Sequence, residues 1–91
     1  MRVQAAPNGR GELRLGLSVP GMAGAVERNR VRRRLREAAR GLSEHLGFDL
    51  VVSTDATALT VPFSLLQEQV RAAAQAAVTR ARAARGPGEG A

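Results

Sequence analysis

The residues of this chain best suited to bind a charged partner are arginines, and half of them lie in one segment. The chain has fourteen arginines and no lysine, and seven of the arginines fall within residues 25–40. With two glutamates in the same segment, these residues hold +5 of the formal net charge of +6. A guanidinium group donates two parallel hydrogen bonds to a phosphate or to a guanine edge, whereas lysine acts as a point charge. This concentrated charge predicts a polyanionic partner, with nucleic acid as the first candidate.

A catalytic constellation is missing from the sequence. Cysteine is absent, His45 is the single histidine, and the carboxylates are scattered along the chain. General acid–base catalysis needs a positioned pair of titratable groups, and a protein-bound metal needs a cluster of ligands. We therefore expect no catalytic residue, no metal or cofactor bound by the protein alone, and no small-molecule substrate. His45 is interpreted as a structural residue near a helix end.

Two strands are predicted before the arginine segment. Over residues 13–19, leucine and valine alternate with arginine, glycine and serine, which is the period of a half-buried strand. Residues 2–6 alternate more weakly, and residues 7–11 supply proline, asparagine and glycine for a turn. The two runs predict an antiparallel hairpin, with Arg14 on the polar side of its strand.

The arginine segment has the periodicity of a helix that begins near Ala25. Its apolar residues recur every three or four positions, which lines one side of a helix with about 3.6 residues per turn. Gly47 is the expected C-cap of this helix. The predicted buried stripe consists of Val31, Leu35, Ala38, Leu42 and Leu46. The arginines predicted opposite the stripe are Arg33, Arg36 and Arg40, and those predicted at its borders are Arg28 and Arg34.

The remaining pattern predicts a strand and a second helix. Residues 48–53 form a short apolar run typical of a buried strand, and residues 54–60 are predicted to be a polar loop. Ser64 and Gln67 fit a capping pattern, so the helix is predicted to start near Ser64. Its predicted stripe is Leu66, Val70, Ala73, Ala77 and Ala81. We expect one domain over residues 1–85 and a flexible tail over residues 86–91.

The segment GAVERNRVRRRLREAAR, preceded by LRLGLSV and followed by GFDLVVS, resembles the protein component of bacterial ribonuclease P. That family carries an arginine-asparagine-arginine core and then a basic doublet on a helix, and the matching positions are Arg28, Asn29 and Arg30, then Arg32 and Arg33. The resemblance covers roughly residues 1–80. The family normally has an additional helix and a short strand before the point where this chain starts, and usually a serine and one or two lysines where this chain reads VPGMAG.

The resemblance implies an α/β fold, a two-layer α+β sandwich of the ribosomal-protein-like type with the order β-β-α-β-α. It implies a left-handed crossover between parallel strands, although the general rule expects a right-handed one. It also implies an RNA-binding subunit of an endoribonuclease whose catalytic RNA removes the 5′ leader from precursor tRNA. In such a complex the RNA uses Mg²⁺, and the partners are the catalytic ribonuclease P RNA and precursor tRNA.

The candidate RNA-binding residues are Arg28, Asn29, Arg30, Arg32, Arg33, Arg36, Arg40 and Arg14. Asn29 also suits a helix N-cap, and Arg14 is the candidate for contact with a single-stranded leader. An alternative function is a stand-alone arginine-rich module that binds RNA or DNA without an endonuclease partner. A membrane-surface role is disfavoured because the apolar side of the helix is narrow and lacks tryptophan. The sequence has neither a signal peptide nor a membrane span, so we expect a cytoplasmic protein.

Overall fold

The computed structural model describes residues 1–19, 24–42 and 45–84, and the predicted tail over residues 86–91 lies outside them. Its elements are strand β1 (Arg2–Pro7), strand β2 (Arg14–Ser18), helix α1 (Ala25–Ala38), strand β3 (Phe48–Ser53), a short 3₁₀ helix (Ala56–Leu59) and helix α2 (Phe63–Ala84). The predicted order β-β-α-β-α is confirmed. The 3₁₀ helix lies where a polar loop was predicted.

The sheet has the strand order β1-β3-β2, so the predicted hairpin between β1 and β2 is wrong. Strand β3 lies between them, antiparallel to β1 and parallel to β2. The turn residues bond to the chain before β3 instead of closing a hairpin: the Asn8 N–H donates to the Gly47 carbonyl (2.9 Å), and the Gly47 N–H donates to the Glu12 carbonyl (3.1 Å). The most apolar strand thereby has partners on both sides, while Pro7, which has no N–H to donate, lies in an edge strand.

Both helices cover the same face of the sheet. Alternate residues of β3, Leu50 and Val52, are buried and join one apolar core with α1 and α2. The residues between them, such as Val51, point to the opposite face, where Val51 is 39% exposed. The molecule is therefore the predicted two-layer sandwich, with helices on one side and an open sheet face on the other.

Helix α1 is shorter than its apolar pattern predicts. It ends at Ala38, with Ala39 as its C-cap. Beyond it the Leu42 N–H donates to the Ala39 carbonyl, a turn three residues long, so the stripe is interrupted before Leu46. Leu42 is buried without being helical, whereas Leu46 is 56% exposed, so its predicted burial is wrong. Gly47 has φ 91° and forms the turn into β3, a conformation that favours glycine, so its predicted role as the C-cap of α1 is also wrong.

Helix α2 begins one residue earlier than the capping pattern predicts. Its first residue is Phe63, and the Leu66 N–H donates to the Pro62 carbonyl at 3.0 Å, so Ser64 lies inside the helix. Burial is confirmed for Leu66, Val70 and Ala77 of the predicted stripe. The other buried residues of the helix are Ala74 and Val78, while the predicted Ala73 and Ala81 are only partly buried.

The 3₁₀ helix is held in place by Asp55, which precedes it. The Asp55 carboxylate accepts hydrogen bonds from the hydroxyl of Thr57 (2.7 Å) and from its backbone N–H (3.0 Å). These bonds favour the charged carboxylate and hold the pKa of Asp55 below its usual value. A capped turn of this kind fixes residues 56–59 against α1, where the candidate interface is built.

Candidate nucleic-acid interface

Helix α1 is anchored by a narrow buried stripe that leaves its arginines accessible. Val31, Leu35 and Ala38 are 0%, 1% and 6% exposed, and they pack into the core. The exposed candidates on or just beyond this helix are Asn29, Arg30, Arg33, Arg36 and Arg40, and the partly exposed ones are Arg28 and Arg32. The predicted exposure of Arg33 and Arg36 opposite the stripe and the partial burial of Arg28 and Arg34 at its borders are therefore confirmed. Arg40 is exposed as well, but it lies beyond the last residue of α1.

The arginine-asparagine-arginine core does not form a single cluster. Successive residues of a helix are turned by about 100°, so side chains two positions apart point to different sides. The helix period places Arg28 at one border of the buried stripe, Arg30 on the flank across from it, and Asn29 on the outward side. The helix therefore presents basic groups on more than one of its sides.

Two shallow depressions divide this surface. The first, called here the outer depression, has a volume of about 460 Å³ and is lined by Asn29, Arg32, Arg33, Arg36, Glu37 and Arg40. The second, called the side depression, has a volume of about 390 Å³ and is lined by Arg30, Arg33, Arg34, Glu37, Leu59 and Phe63. Arg33 and Glu37 line both, so the two depressions meet along the outer ridge of α1.

Positive charge dominates the outer ridge. The Nη2 of Arg40 lies 3.1 Å from the Oε1 of Glu37. An exposed ion pair of this kind contributes about 0 to 1 kcal/mol to stability. Arg32 and Arg36 are like charges four residues apart on α1, and such pairs repel each other on a helix surface. Bound phosphates would relieve this repulsion, so the unbound surface favours an anionic ligand.

The side chain of Arg34 is used inside the fold. Its Nη1 donates to the carbonyls of Ala58 (3.2 Å) and Leu59 (2.9 Å), and its Nη2 donates to the carbonyl of Val61 (2.6 Å). Its Cζ lies 5.9 Å from the centroid of the Phe63 ring. Arg34 thus ties α1 to the 3₁₀ helix and the start of α2, a role that charge counting alone did not predict.

Arg14 lies on the open face of the sheet, away from the helix layer that carries the other seven candidates. Its Nε is 3.8 Å from Oδ1 of Asp49, which also accepts a 2.9 Å hydrogen bond from the side-chain amide of Asn8. Register places Arg2 and Gln4 on the same face. The candidate residues therefore form two separate surfaces, and the Asn8 contact was missed because it depends on the unpredicted position of β3.

The two phenylalanines have different environments. Phe48 is 8% exposed, with the Arg82 Cζ 5.3 Å from its ring centroid, whereas Phe63 is 38% exposed. Phe48 belongs to the buried alternation of β3, and Phe63 is the first residue of α2. His45 is 2% exposed, consistent with its predicted structural role.

The structure describes no cluster of three or more histidine, cysteine or carboxylate side chains within residues 1–19, 24–42 and 45–84. Over the same part of the chain, none of the helices combines the length and apolar character needed to cross a membrane.

Comparison with known proteins identifies the family. The model of the family described as ribonuclease P matches residues 1–78, which include β1, β2, α1, β3 and most of α2. This chain belongs to the ribonuclease P family. The matched part contains every candidate RNA-binding residue.

A sequence relative and two solved structures agree with membership of the ribonuclease P family. The ribonuclease P protein component of Roseiflexus sp. (strain RS-1) is 42% identical over 81 residues, covering 85% of this chain and 66% of that protein. The RNase P protein of Staphylococcus aureus superposes with a TM-score of 0.65 at 27% identity, covering 82% of this chain and 72% of the other. A mutant of the latter with defective mRNA degradation activity has a TM-score of 0.66 at 27% identity, with 82% and 66% covered. The chain thus spans about two thirds of the length of its relatives, and the predicted fold class is confirmed.

Proposed function

We propose that this chain is the RNA-binding protein subunit of ribonuclease P, assisting a catalytic RNA in removing the 5′ leader from precursor tRNA. The observation that carries the proposal is the anchoring of α1 in a member of this family. Three buried side chains fix the helix to the core, and five exposed candidates are left to face a partner. Fixed guanidinium groups bind a folded RNA at defined places, whereas a mobile basic tail binds any polyanion.

In this proposal the protein supplies binding and the RNA supplies the chemistry. The arginines of α1 neutralise phosphates of the catalytic RNA where its strands approach one another, which lowers the Mg²⁺ concentration that the RNA needs to fold. The Mg²⁺ ions belong to the RNA, and the complex acts in the cytoplasm. The open sheet face, with Arg14, Arg2 and Gln4, is the surface proposed to meet the single-stranded leader of precursor tRNA.

Reconstitution tests this function directly. Precursor tRNA, bacterial ribonuclease P RNA and the chain are mixed at low Mg²⁺, and release of the 5′ leader is measured with and without protein. Cleavage that depends on the protein would support the subunit function. Tight RNA binding without stimulation would contradict it and favour the stand-alone RNA-binding module.

The arginine-asparagine-arginine core gives a sharper prediction. Replacing Arg28 and Arg30 together by alanine is expected to weaken binding to the catalytic RNA by about 1 to 3 kcal/mol, because contacts from both flanks of α1 are lost. The measurement is a binding titration at fixed salt. The matched control replaces Arg71 and Arg80 of α2, both exposed, and so removes the same charge elsewhere. Equal losses for the two pairs would contradict a specific role for the core.

A further inference from the structure

The side depression, unlike the outer depression, is lined by apolar side chains as well as by guanidinium groups. Its lining includes the apolar side chains of Leu59 and Phe63 next to the guanidinium groups of Arg30 and Arg33. The chain has two aromatic residues, both phenylalanine, and Phe48 is buried. Phe63 is therefore the aromatic ring that this protein presents to a partner, and it lies beside the helix with the densest positive charge.

The ring of Phe63 is held in a defined place. Arg34, whose guanidinium lies 5.9 Å from the ring centroid, is itself fixed by three hydrogen bonds to the carbonyls of Ala58, Leu59 and Val61. These bonds keep Arg34 within the fold, while Arg30 and Arg33, both exposed, line the rim. The depression thus has an apolar floor beside a hydrogen-bonded arginine and an exposed cationic rim.

We propose that the side depression holds one unpaired purine of the bound RNA, with its base against Phe63 and Leu59 and its neighbouring phosphates on Arg30 and Arg33. The proposal rests on the proposed function, in which α1 binds RNA. A base within a duplex has its faces covered by its neighbours, so only an unpaired base offers a free face to an aromatic ring. A purine covers more of the floor than a pyrimidine. A second copy of this chain, with its net charge of +6, would be repelled by the rim.

The test uses two RNA hairpins that differ at one bulged position, which carries either adenine or an abasic residue with the same phosphates. Binding of the intact chain to each is measured by fluorescence anisotropy. The wild-type protein is expected to bind the adenine hairpin about fivefold or more tightly, the lower end of what base–aromatic stacking contributes. Phe63→Leu is expected to remove this preference while leaving the affinity for the abasic hairpin unchanged, and Phe63→Tyr is expected to keep it.

Leu65→Ala is the matched control, because Leu65 is 44% exposed on the same turn of α2 and does not line the depression. It is expected to leave the adenine preference intact. Equal binding of both hairpins by the wild-type protein, or an equal loss for both in Phe63→Leu, would overturn the base site. If the same preparation stimulates leader removal, the proposed function survives that result. Failure to bind either hairpin or the catalytic RNA would refute both.

Discussion

Replacement of Leu35 by alanine is expected to lower the free energy of unfolding by about 2 to 5 kcal/mol. Leu35 is 1% exposed, lies on α1 and belongs to the single core cluster formed by both helices and the sheet. Its truncation removes buried methyl groups and leaves a cavity between layers that cannot close without moving α1. A domain of this size has a total stability of roughly 5 to 13 kcal/mol, so the loss is a large share of it.

The measurement is urea unfolding followed by circular dichroism. Val26→Ala is the matched control, because Val26 is on the same helix and is 74% exposed. It is expected to change stability by less than about 0.5 kcal/mol. If Leu35→Ala left the unfolding midpoint unchanged, α1 would not be packed through this stripe. In that case its arginines would not be fixed to the core.

Arg34→Met is expected to lower folding stability, whereas Arg33→Met is expected to lower RNA affinity, although the residues are neighbours and the charge change is the same. Arg34→Met keeps an aliphatic stem but loses three hydrogen bonds to the carbonyls of Ala58, Leu59 and Val61. Leaving those acceptors without their donor is expected to cost about 2 to 3 kcal/mol of folding stability. Arg33 is exposed, so Arg33→Met is expected to change the folding stability by less than about 0.5 kcal/mol.

For RNA affinity, Arg33→Met is expected to have the larger effect of the two variants. Arg33 lines both depressions, so Arg33→Met is expected to weaken RNA binding by about 1 to 2 kcal/mol. Below its melting temperature, Arg34→Met is expected to lose less RNA affinity than Arg33→Met, because the Arg34 guanidinium points into the fold. Thermal unfolding and RNA titration of both variants, with Arg34→Lys as an intermediate case, make the comparison. Equal melting temperatures for the two methionine variants would show that Arg34 is not a structural residue.

The candidate RNA-binding surface of α1 was largely predictable because it depends on one helix. Periods of three and four residues around Val31 and Leu35 establish which side of α1 is buried, and the exposure of Arg33 and Arg40 follows from them. What periodicity cannot supply is the end of a helix whose apolar pattern continues. Leu42 stays buried after the backbone has left the helix, so the pattern extended the prediction to Leu46.

The arrangement of the strands was not predictable in the same way. Nearness in sequence favours pairing of β1 with β2, but the pairing that forms brings the more apolar β3 between them. The contacts that depend on this order, including Asn8 with Asp49, were therefore missed. The structural role of Arg34 was missed for a related reason. Its partners include the backbone carbonyls of Leu59 and Val61, more than twenty positions away. Every residue has a backbone carbonyl, so such partners cannot be identified from residue types.

The central position of β3 also determines when this protein can acquire its sheet. Arg2 pairs with Ser53 and Pro7 with Phe48, so each of these pairings closes a loop of more than forty residues. During synthesis neither β1 nor β2 has its partner until β3 has left the ribosome, and by then the whole of α1 has already emerged. Long-range closure of this kind slows folding, so the nascent chain displays its arginines to surrounding RNA before the layer that supports them exists.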